Sequence, residues 1–458
     1  MPLSPRKAIS KLLKLIRSGS SAYRFAFSIL EMRLEYMSIL RTDSCSGSAP
    51  DEATICRSHI LGATVESSPI SREIAGLLDS YQPLVSFMGE YDRAAQKPGV
   101  ADLTVGNPQE MPLAEFIAAL RTWIEPRAKD HFAYKMNVPA AQRAVIAGLR
   151  ERRGVTYALE DVFMTNGAFA GLAVVIRAVC DAGDEVIYVS PPWFFYDALI
   201  RAVGAKAVSV KVDPRTFDLD VAAIEGAITP RTRAVIVNSP NNPTGRLYPR
   251  ATLDRLAAIL ERASVRNGRR VYLISDEAYS RILFDRRRYE SPTESYPSSF
   301  LVYTFGKQLL TPGERIGYIC LPPDMPEREA MRGAITMTQF VMGWAFPNAT
   351  LQYAVAELDR ACIDLAALQR RRDLMVTALS DAGYRVHRPE GTFYLMPRSP
   401  WPDDAAFTRH LRERDVLVLP GYLIEMPGYF RISLTASDAM IDKAIPVLAA
   451  AMREPVPA

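Results

Sequence analysis

The sequence predicts an α/β fold, in which a large domain with a seven-stranded, mostly parallel sheet flanked by helices is joined to a smaller α+β domain. Short apolar runs rich in β-branched residues alternate with helix-length segments between residues 162 and 321. This alternation is typical of buried parallel strands linked by crossover helices. After residue 346 the alternation stops, and long helical patterns and brief strands follow. We expect the N- and C-terminal segments to form the smaller domain.

Residues 1–65 are predicted to be a basic N-terminal extension. Lysines and arginines recur through its first half, and no acidic residue precedes Glu31. We expect a poorly ordered extension rather than an organellar presequence, although both have this composition. Residues 66–130 are then expected to form an arm and part of the small domain, 131–345 the large domain and 346–458 the rest of the small domain.

The periodicity of apolar residues predicts the individual elements in order. Before the sheet we expect three helices, at 71–78, 113–124 and 140–152. One short strand is expected at 103–105. Seven strands follow at 162–165, 186–189, 207–212, 234–237, 271–274, 301–303 and 316–321. Helices are expected at 169–179 and at 252–262, the second starting at the hydroxyl of Thr252 and the proline before it. The last region predicts one long helix from 349 to beyond 373 and strands at 384–387, 392–396 and 429–434.

The composition narrows the class of protein. The net charge of +4 over 458 residues gives no reason to expect nucleic-acid binding, and no apolar stretch approaches the length of a membrane span. Five scattered cysteines favour a reducing cytoplasm over a disulfide framework. The four histidines are not paired at metal-ligand spacing, so no metal site is expected.

A polar cluster directly follows each of three predicted strands. The clusters are Asn238–Gly245, Ser275–Tyr279 and Thr304–Lys307, and Arg315 comes eight residues after the last. Ligands of open α/β sheets bind just outside the carboxyl ends of the strands. An amide, a carboxylate with a phenol, and a lysine with an arginine would therefore meet in one crevice. This set suits a ligand that carries a phosphate, a ring nitrogen and an aldehyde.

The ordered set Asn-Pro-Thr-Gly, Asp-x-x-Tyr, Ser/Thr-x-x-Lys and Arg resembles the class I/II aminotransferases of the aspartate aminotransferase superfamily. These are fold type I enzymes that depend on pyridoxal 5'-phosphate (PLP). The resemblance covers residues 68–455. Each motif is weak alone, but four in this order and spacing are specific.

The resemblance implies roles around the cofactor ring. Lys307 would form the Schiff base with the PLP aldehyde and then shuttle a proton. Asp276 would pair with the ring nitrogen and keep it protonated. Tyr279 and Asn242 would hydrogen-bond the phenolate oxygen, and Trp193 would stack on the ring face. From the residues alone, a helix cap, a plain turn and a core tryptophan remain open for Asp276, Asn242 and Trp193.

The resemblance also implies a cup for the phosphate. The turn Gly167-Ala168-Phe169 would supply free backbone N–H groups at a helix N-terminus. The Thr304 hydroxyl and the Arg315 guanidinium would complete the cup, because a planar guanidinium fits phosphate bidentately.

Three further residues match substrate and subunit positions of the family. Arg431 matches the arginine that binds the substrate α-carboxylate, although an internal ion pair would also explain an arginine in an apolar strand. Gly106 matches the glycine of a turn that approaches the substrate, and Asn242 is also expected to contact the substrate. Tyr134 matches a tyrosine that reaches the phosphate of the neighbouring subunit, which implies a homodimer with shared active sites.

The sequence departs from the family at two positions. Gly306 stands where a serine usually precedes the lysine, and Pro139 stands where a glycine is usual. The implied activity is transfer of an amino group between an L-amino acid and a 2-oxo acid by a ping-pong mechanism. A PLP-dependent β/γ-lyase or synthase would use the same residues, and a non-catalytic PLP-binding regulatory module is a third alternative. The side chain of the donor stays open; Lys135 is one candidate cation for an acidic donor.

Overall fold

The computed structural model describes residues 69–455, so the predictions for residues 1–65 lie outside the described part. The chain divides into two compact units at Arg93. Residues 72–93 of the first unit belong to α1 (Arg72–Ala95), which is much longer than the predicted helix at 71–78. The proposed boundaries at 130 and 345 stay a prediction.

The second unit contains the elements that carry the site. Its helices are α2 (Ala114–Ile124), α3 (Pro139–Arg153), α4 (Gly167–Val179), α5 (Tyr196–Arg201), α6 (Val221–Ala227), α7 (Arg250–Asn267), α8 (Phe305–Gln308), α9 (Arg328–Val341), α10 (Ala349–Tyr353), α11 (Val355–Leu358), α12 (Leu365–Ala382), α13 (Asp404–Arg412) and α14 (Asp438–Ala451). Its strands are β1 (Ala101–Asp102), β2 (Val162–Thr165), β3 (Glu185–Ser190), β4 (Lys206–Lys211), β5 (Thr232–Asn238), β6 (Tyr272–Asp276), β7 (Ser299–Thr304), β8 (Gly317–Cys320), β9 (Tyr394–Leu395), β10 (Val416–Leu417), β11 (Leu419–Pro420) and β12 (Phe430–Ser433).

The seven-stranded sheet confirms the predicted fold class. Its strand order is β2-β8-β7-β6-β5-β3-β4, and all neighbours are parallel except β8, which is antiparallel to both β2 and β7. Alternate residues of the inner strands pack against α4 on one face, and against α7 or α3 on the other. Burial on both faces explains why these strands have nearly continuous apolar sequences.

The smaller sheets lie in the C-terminal region. β11, β12 and β9 form an antiparallel sheet, and β1 pairs in parallel with β10. Segments that are far apart in sequence, residues 101–103 and 363–451, therefore share one apolar core. Within residues 69–455, no helix combines the length and the apolar character needed to cross a membrane.

Several predicted elements differ in the structure. The helix predicted from 349 is broken into α10, α11 and α12, because Asp364 caps α12 by accepting hydrogen bonds from the N–H groups of Ala366 and Ala367. Residues 384–387 form only a single bridge, between Val386 and Pro397. The predicted start of α7, at Thr252, was also wrong. The helix begins after Pro249, and the Thr252 hydroxyl donates a hydrogen bond to Asp218 instead of capping it.

Candidate active site

The carboxyl ends of β5, β6 and β7 bring the predicted polar clusters together. Asn238 and Asp276 are the last residues of β5 and β6 and lie directly opposite each other in the parallel register. Thr304 ends β7 and caps α8 by accepting a hydrogen bond from the Gly306 N–H, at 3.3 Å. Lys307 therefore follows the end of a buried strand within one turn of helix.

The reversed strand β8 brings Arg315 back to this edge. Gly317, the first residue of β8, lies opposite Thr304 of β7 and packs against Gly167. A Cβ added to Gly167 would lie 2.6 Å from Nη2 of Arg315, and the φ of Gly167 is +79°. Both facts require glycine here. The guanidinium of Arg315 therefore lies against the start of α4.

The first turn of α4 carries the other two predicted phosphate-binding residues. No side chain caps this helix, so backbone N–H groups of its first turn are available to an anion. Ala168 is buried, whereas Phe169 is 40% exposed. The Phe169 ring packs edge-on against Trp193, with centroids 4.8 Å apart, and stacks with Phe195. Trp193 thus belongs to an aromatic cluster beside the cup.

Asp276 is held by three polar contacts. The Tyr196 hydroxyl donates to Oδ2 at 2.6 Å, and the Ala278 N–H donates to Oδ1 at 3.2 Å. The Asn238 amide donates to the Asp276 carbonyl at 2.9 Å. Burial raises the pKa of the Asp276 carboxyl above its ordinary value, and the Tyr196 hydrogen bond opposes this rise. A cation beside Asp276 would therefore be strongly favoured over water.

Lys307 is surrounded by aromatic rings. Its Nζ lies 5.7 Å from the centroid of the Tyr279 ring and 5.8 Å from that of Phe393. Burial lowers the pKa of the Lys307 ammonium; Arg315 and Arg431 lower it further, while Tyr394 and Asp276 oppose them. Desolvation and positive neighbours both disfavour the charged form, so the neutral, nucleophilic amine is more accessible than in free lysine.

Arg431 lies in β12 with its guanidinium partly committed. Nη1 donates to Oδ1 of Asn242 at 3.2 Å, and Nη2 donates to the Thr104 carbonyl at 3.0 Å. Nε is buried and has no hydrogen-bond partner among the described residues. No ion pair involves Arg431 within residues 69–455, so the alternative of an internal carboxylate partner receives no support. Gly106 lies nearby, against Tyr394 and Phe393.

Tyr134 is the predicted residue that these clusters do not include. Its side chain is 86% exposed, and its ring contacts Phe346 with centroids 4.8 Å apart. Lys135 pairs with Asp130 at 2.6 Å and so is already partnered.

The sequence reasoning missed four residues near these groups, and it named Asn238 only as the first residue of a polar cluster. Tyr196 and Asn238 hold Asp276, Thr104 holds Arg431, and Phe393 and Tyr394 contribute rings beside Lys307 and Arg431. Only one signal was available, since the run Gly391-Thr-Phe-Tyr394 follows a turn and enters a short strand. The other contacts join residues distant in sequence and have no local pattern.

The donor set fits PLP. The buried Asp276 carboxylate and the Arg315 guanidinium take part in no ion pair among the described residues, and burial lowers the pKa of Arg315. A ring cation and a phosphate would satisfy these two charges, while the Lys307 amine suits an aldehyde. In the same part of the chain, no group of three histidine, cysteine or acidic side chains is arranged to hold a metal ion.

Comparisons with known proteins agree with this geometry. Residues 98–448 match the family model "Aminotransferase class I and II". The chain is 32% identical to the aspartate/prephenate aminotransferase of Thermus thermophilus, over 75% of this chain and 88% of that protein. It is 27% identical to a probable aspartate aminotransferase of Methanocaldococcus jannaschii, over 76% and 92% of the two chains.

Solved structures give the same answer. An aminotransferase from Eubacterium rectale superposes with a TM-score of 0.74 at 27% identity, covering 88% of this chain and 98% of that one. The Thermus thermophilus aspartate aminotransferase with maleate superposes with a TM-score of 0.72 at 29% identity, covering 84% and 100%. With most of its length matched in sequence and in fold, this chain belongs to the class I and II aminotransferases and is a PLP-dependent transaminase.

Proposed function

We propose that the chain transfers an amino group from an L-amino acid to a 2-oxo acid by a ping-pong mechanism in the site around Lys307. The observation that carries this proposal is the placement of one amine, one carboxylate and one guanidinium at the same edge of the sheet. The amine lies over the rings of Tyr279 and Phe393, and the guanidinium lies over Tyr394, whose ring contacts both of them. The amine is Lys307, the carboxylate is Asp276 and the guanidinium is Arg431.

Each of these residues has a distinct task. When bound, PLP supplies an electron-accepting ring that stabilises the charge left on the substrate α-carbon as its proton departs. Arg431 binds the α-carboxylate of donor and acceptor in turn. The Lys307 amine attaches the cofactor between reactions and carries the α-proton during them. Asp276 would keep a negative charge next to the ring nitrogen. Tyr279 and Asn242 would bind the ring oxygen, and Gly167, Ala168, Phe169, Thr304 and Arg315 would hold the phosphate.

An amino-donor panel tests this function and its alternatives. The names of the relatives make aspartate and prephenate the first substrates to include, as donor and acceptor. We add 2-oxoglutarate as a second 2-oxo acid acceptor. Absorbance of the bound cofactor reports which donors convert PLP to its amine form. Turnover that releases ammonia and needs no 2-oxo acid would replace the transaminase with a lyase. Absence of conversion by all donors, despite bound PLP, would favour the regulatory module.

Covalent attachment of PLP to the apoenzyme should follow the lowered pKa of Lys307. Free lysine has a pKa of about 10.4. Because only the neutral amine attacks the aldehyde, the attachment rate should rise with pH and level off below that value. Borohydride trapping at a series of pH values measures the rate, with Nα-acetyl-lysine as the reference. A curve that matches the reference would contradict the pKa shift.

We further propose a homodimer with shared active sites. The end of α9 and the loop after it expose several large apolar side chains, a composition that marks a protein–protein interface. These residues are Met337, Phe340, Val341, Trp344 and Phe346, and the Tyr134 ring joins them through Phe346. The Asn166 amide donates to the Trp344 carbonyl, so this surface borders the first turn of α4.

A charge placed on this surface should break the dimer. Val341→Glu is expected to produce monomers in analytical ultracentrifugation, because a buried carboxylate in an apolar interface is costly. Val265→Glu is the matched control, since Val265 is a similarly exposed valine on α7, at 74% against 68% for Val341. If Val341→Glu stays dimeric, the interface lies elsewhere.

Subunit mixing tests the role of Tyr134. Lys307→Ala subunits and Tyr134→Ala subunits should each be impaired alone. Suppose that Tyr134 serves the phosphate cup of the partner subunit. In a mixed dimer, one site then combines Lys307→Ala with Tyr134→Ala, while the other site has both wild-type residues. Activity therefore returns. If Tyr134 serves its own subunit, both sites are defective and mixing restores nothing.

We also propose a cytoplasmic location. The cysteines are few and scattered, and Cys180, Cys320 and Cys362 are free thiols. Import through the basic residues of 1–65 is the alternative. Cell fractionation of the full chain distinguishes the two locations. Import would place the protein in an organelle fraction and shorten it by the basic segment.

A further inference from the structure

Tyr394 lies between the groups that the proposed mechanism uses, yet that mechanism gives it no task. It begins β9 and lies opposite Ser433 of β12 in the antiparallel register, two residues from Arg431. The side chain is only 3% exposed. A residue buried this deeply beside Arg431 serves either the active site or the packing of the core. The contacts of its side chain show which of the two roles applies.

The ring of Tyr394 forms a platform under Arg431. The guanidinium carbon lies 4.1 Å from the ring centroid, a distance at which a cation is attracted to an aromatic face. Two edges of the guanidinium are held by Asn242 and by the Thr104 carbonyl. The ring adds a contact on the face. Together these contacts fix the orientation of the guanidinium, and Nε is its one nitrogen without a hydrogen-bond partner among the described residues.

The hydroxyl of Tyr394 points to a different part of the site. It lies against Gly106, where an added Cβ would collide with it, so the absence of a side chain at Gly106 makes room for the phenol. The ring centroids of Tyr394 and Tyr279 are 6.1 Å apart. Burial raises the pKa of the Tyr279 phenol, and Tyr394 raises it further. Nζ of Lys307 lies 5.7 Å from the centroid of the Tyr279 ring, so Tyr394 contacts a ring that borders the amine.

We propose that Tyr394 is a positioning residue with two separable functions. Its ring holds the Arg431 guanidinium in the orientation that binds carboxylates, and its hydroxyl holds the Tyr279 phenol beside Lys307. This inference rests on the proposed function, because it concerns the same site. It also assigns the ring and the hydroxyl to different steps, substrate binding and proton transfer, which two substitutions distinguish.

The test compares Tyr394→Phe with Tyr394→Leu in the PLP-loaded enzyme. Tyr394→Leu removes the platform and should raise KM for donor and acceptor alike by about tenfold. Tyr394→Phe keeps the ring, so KM should stay within about twofold of wild type. Without substrate, Tyr394→Phe should shift the pH midpoint of the cofactor absorbance, whereas Tyr248→Phe should not. Tyr248 is a matched control because its buried hydroxyl has no partner among the described residues.

The outcomes overturn the proposal in distinct ways. Equal rises in KM for both variants would assign the carboxylate clamp to the hydroxyl instead of the ring. Unchanged KM in Tyr394→Leu, or an unchanged midpoint in Tyr394→Phe, would each remove one of the two functions. Should Tyr394→Leu fail to fold, Tyr394→Met also removes the ring and gives the same KM comparison. Calorimetric binding of a non-reacting carboxylate tests the platform even if the wild-type protein does not transaminate, so failure of the proposed function would be seen separately.

Discussion

Lys307→Ala is expected to abolish transamination and the covalent attachment of PLP. The side chain supplies both the attaching amine and the proton carrier, and alanine supplies neither. Borohydride treatment should leave no PLP fixed to the chain, and donor addition should release no 2-oxo acid. The fold should persist, because Lys307 is only partly buried and makes no ion pair within residues 69–455. Far-ultraviolet circular dichroism and thermal unfolding check this.

Lys211→Ala is a suitable control for this variant. Lys211 is exposed at the end of the edge strand β4. It is the same kind of residue at the end of a strand of the same sheet, and its loss should leave attachment and turnover unchanged. A Lys307→Ala enzyme that turns over, or that still fixes PLP, would refute the assignment of the amine.

Asp276→Asn is expected to lower kcat by about 100-fold or more while PLP still attaches to Lys307. The amide has nearly the same shape and can still accept the Tyr196 hydrogen bond. It carries no charge, however, and an uncharged partner does not hold a proton on the ring nitrogen. Pre-steady-state absorbance after donor addition separates the chemical step from binding. The KM should change far less than kcat, because Arg431 is untouched.

Asp404→Asn is the control for replacing a buried aspartate that lies outside the proposed site. Asp404 is also buried, and it accepts hydrogen bonds from the N–H groups of Tyr422 and Gly428. Its replacement should lower thermal stability without a matching loss in kcat. If Asp276→Asn retains kcat within about tenfold of wild type, the carboxylate does not serve the ring nitrogen.

The sheet and its polar edge could be predicted because their signals are local. Strands buried on both faces leave continuous apolar runs, and the clusters after β5, β6 and β7 directly continue those runs. The broken helix after residue 349 was missed because apolar spacing persists through the interruption. There Asp359 accepts a bidentate pair from Arg152, a contact across 207 residues that no local pattern reports. The cap at Asp364 was a usable local signal.

The supporting residues of the site could not be predicted for the same reason. Tyr196 reaches Asp276 across 80 residues, and Arg431 reaches the Thr104 carbonyl across 327. Such contacts depend on the order of the strands in the sheet and on where the C-terminal segment packs. A motif identifies the reacting side chain, whereas the partners that orient it come from the tertiary fold.

The reversed direction of β8 has a consequence for how the site assembles. β7 and β8 form an antiparallel pair closed by residues 305–316, so Thr304, Lys307 and Arg315 belong to one sequence-local unit. The entropy lost in closing a loop grows with its length, and rates of folding fall as contacts become more remote in sequence. The contact between Asn242 and Arg431 spans 189 residues. During folding, the segment that holds Thr304, Lys307 and Arg315 for PLP binding can form early. The substrate-binding contact between Asn242 and Arg431 forms only after the C-terminal segment has docked.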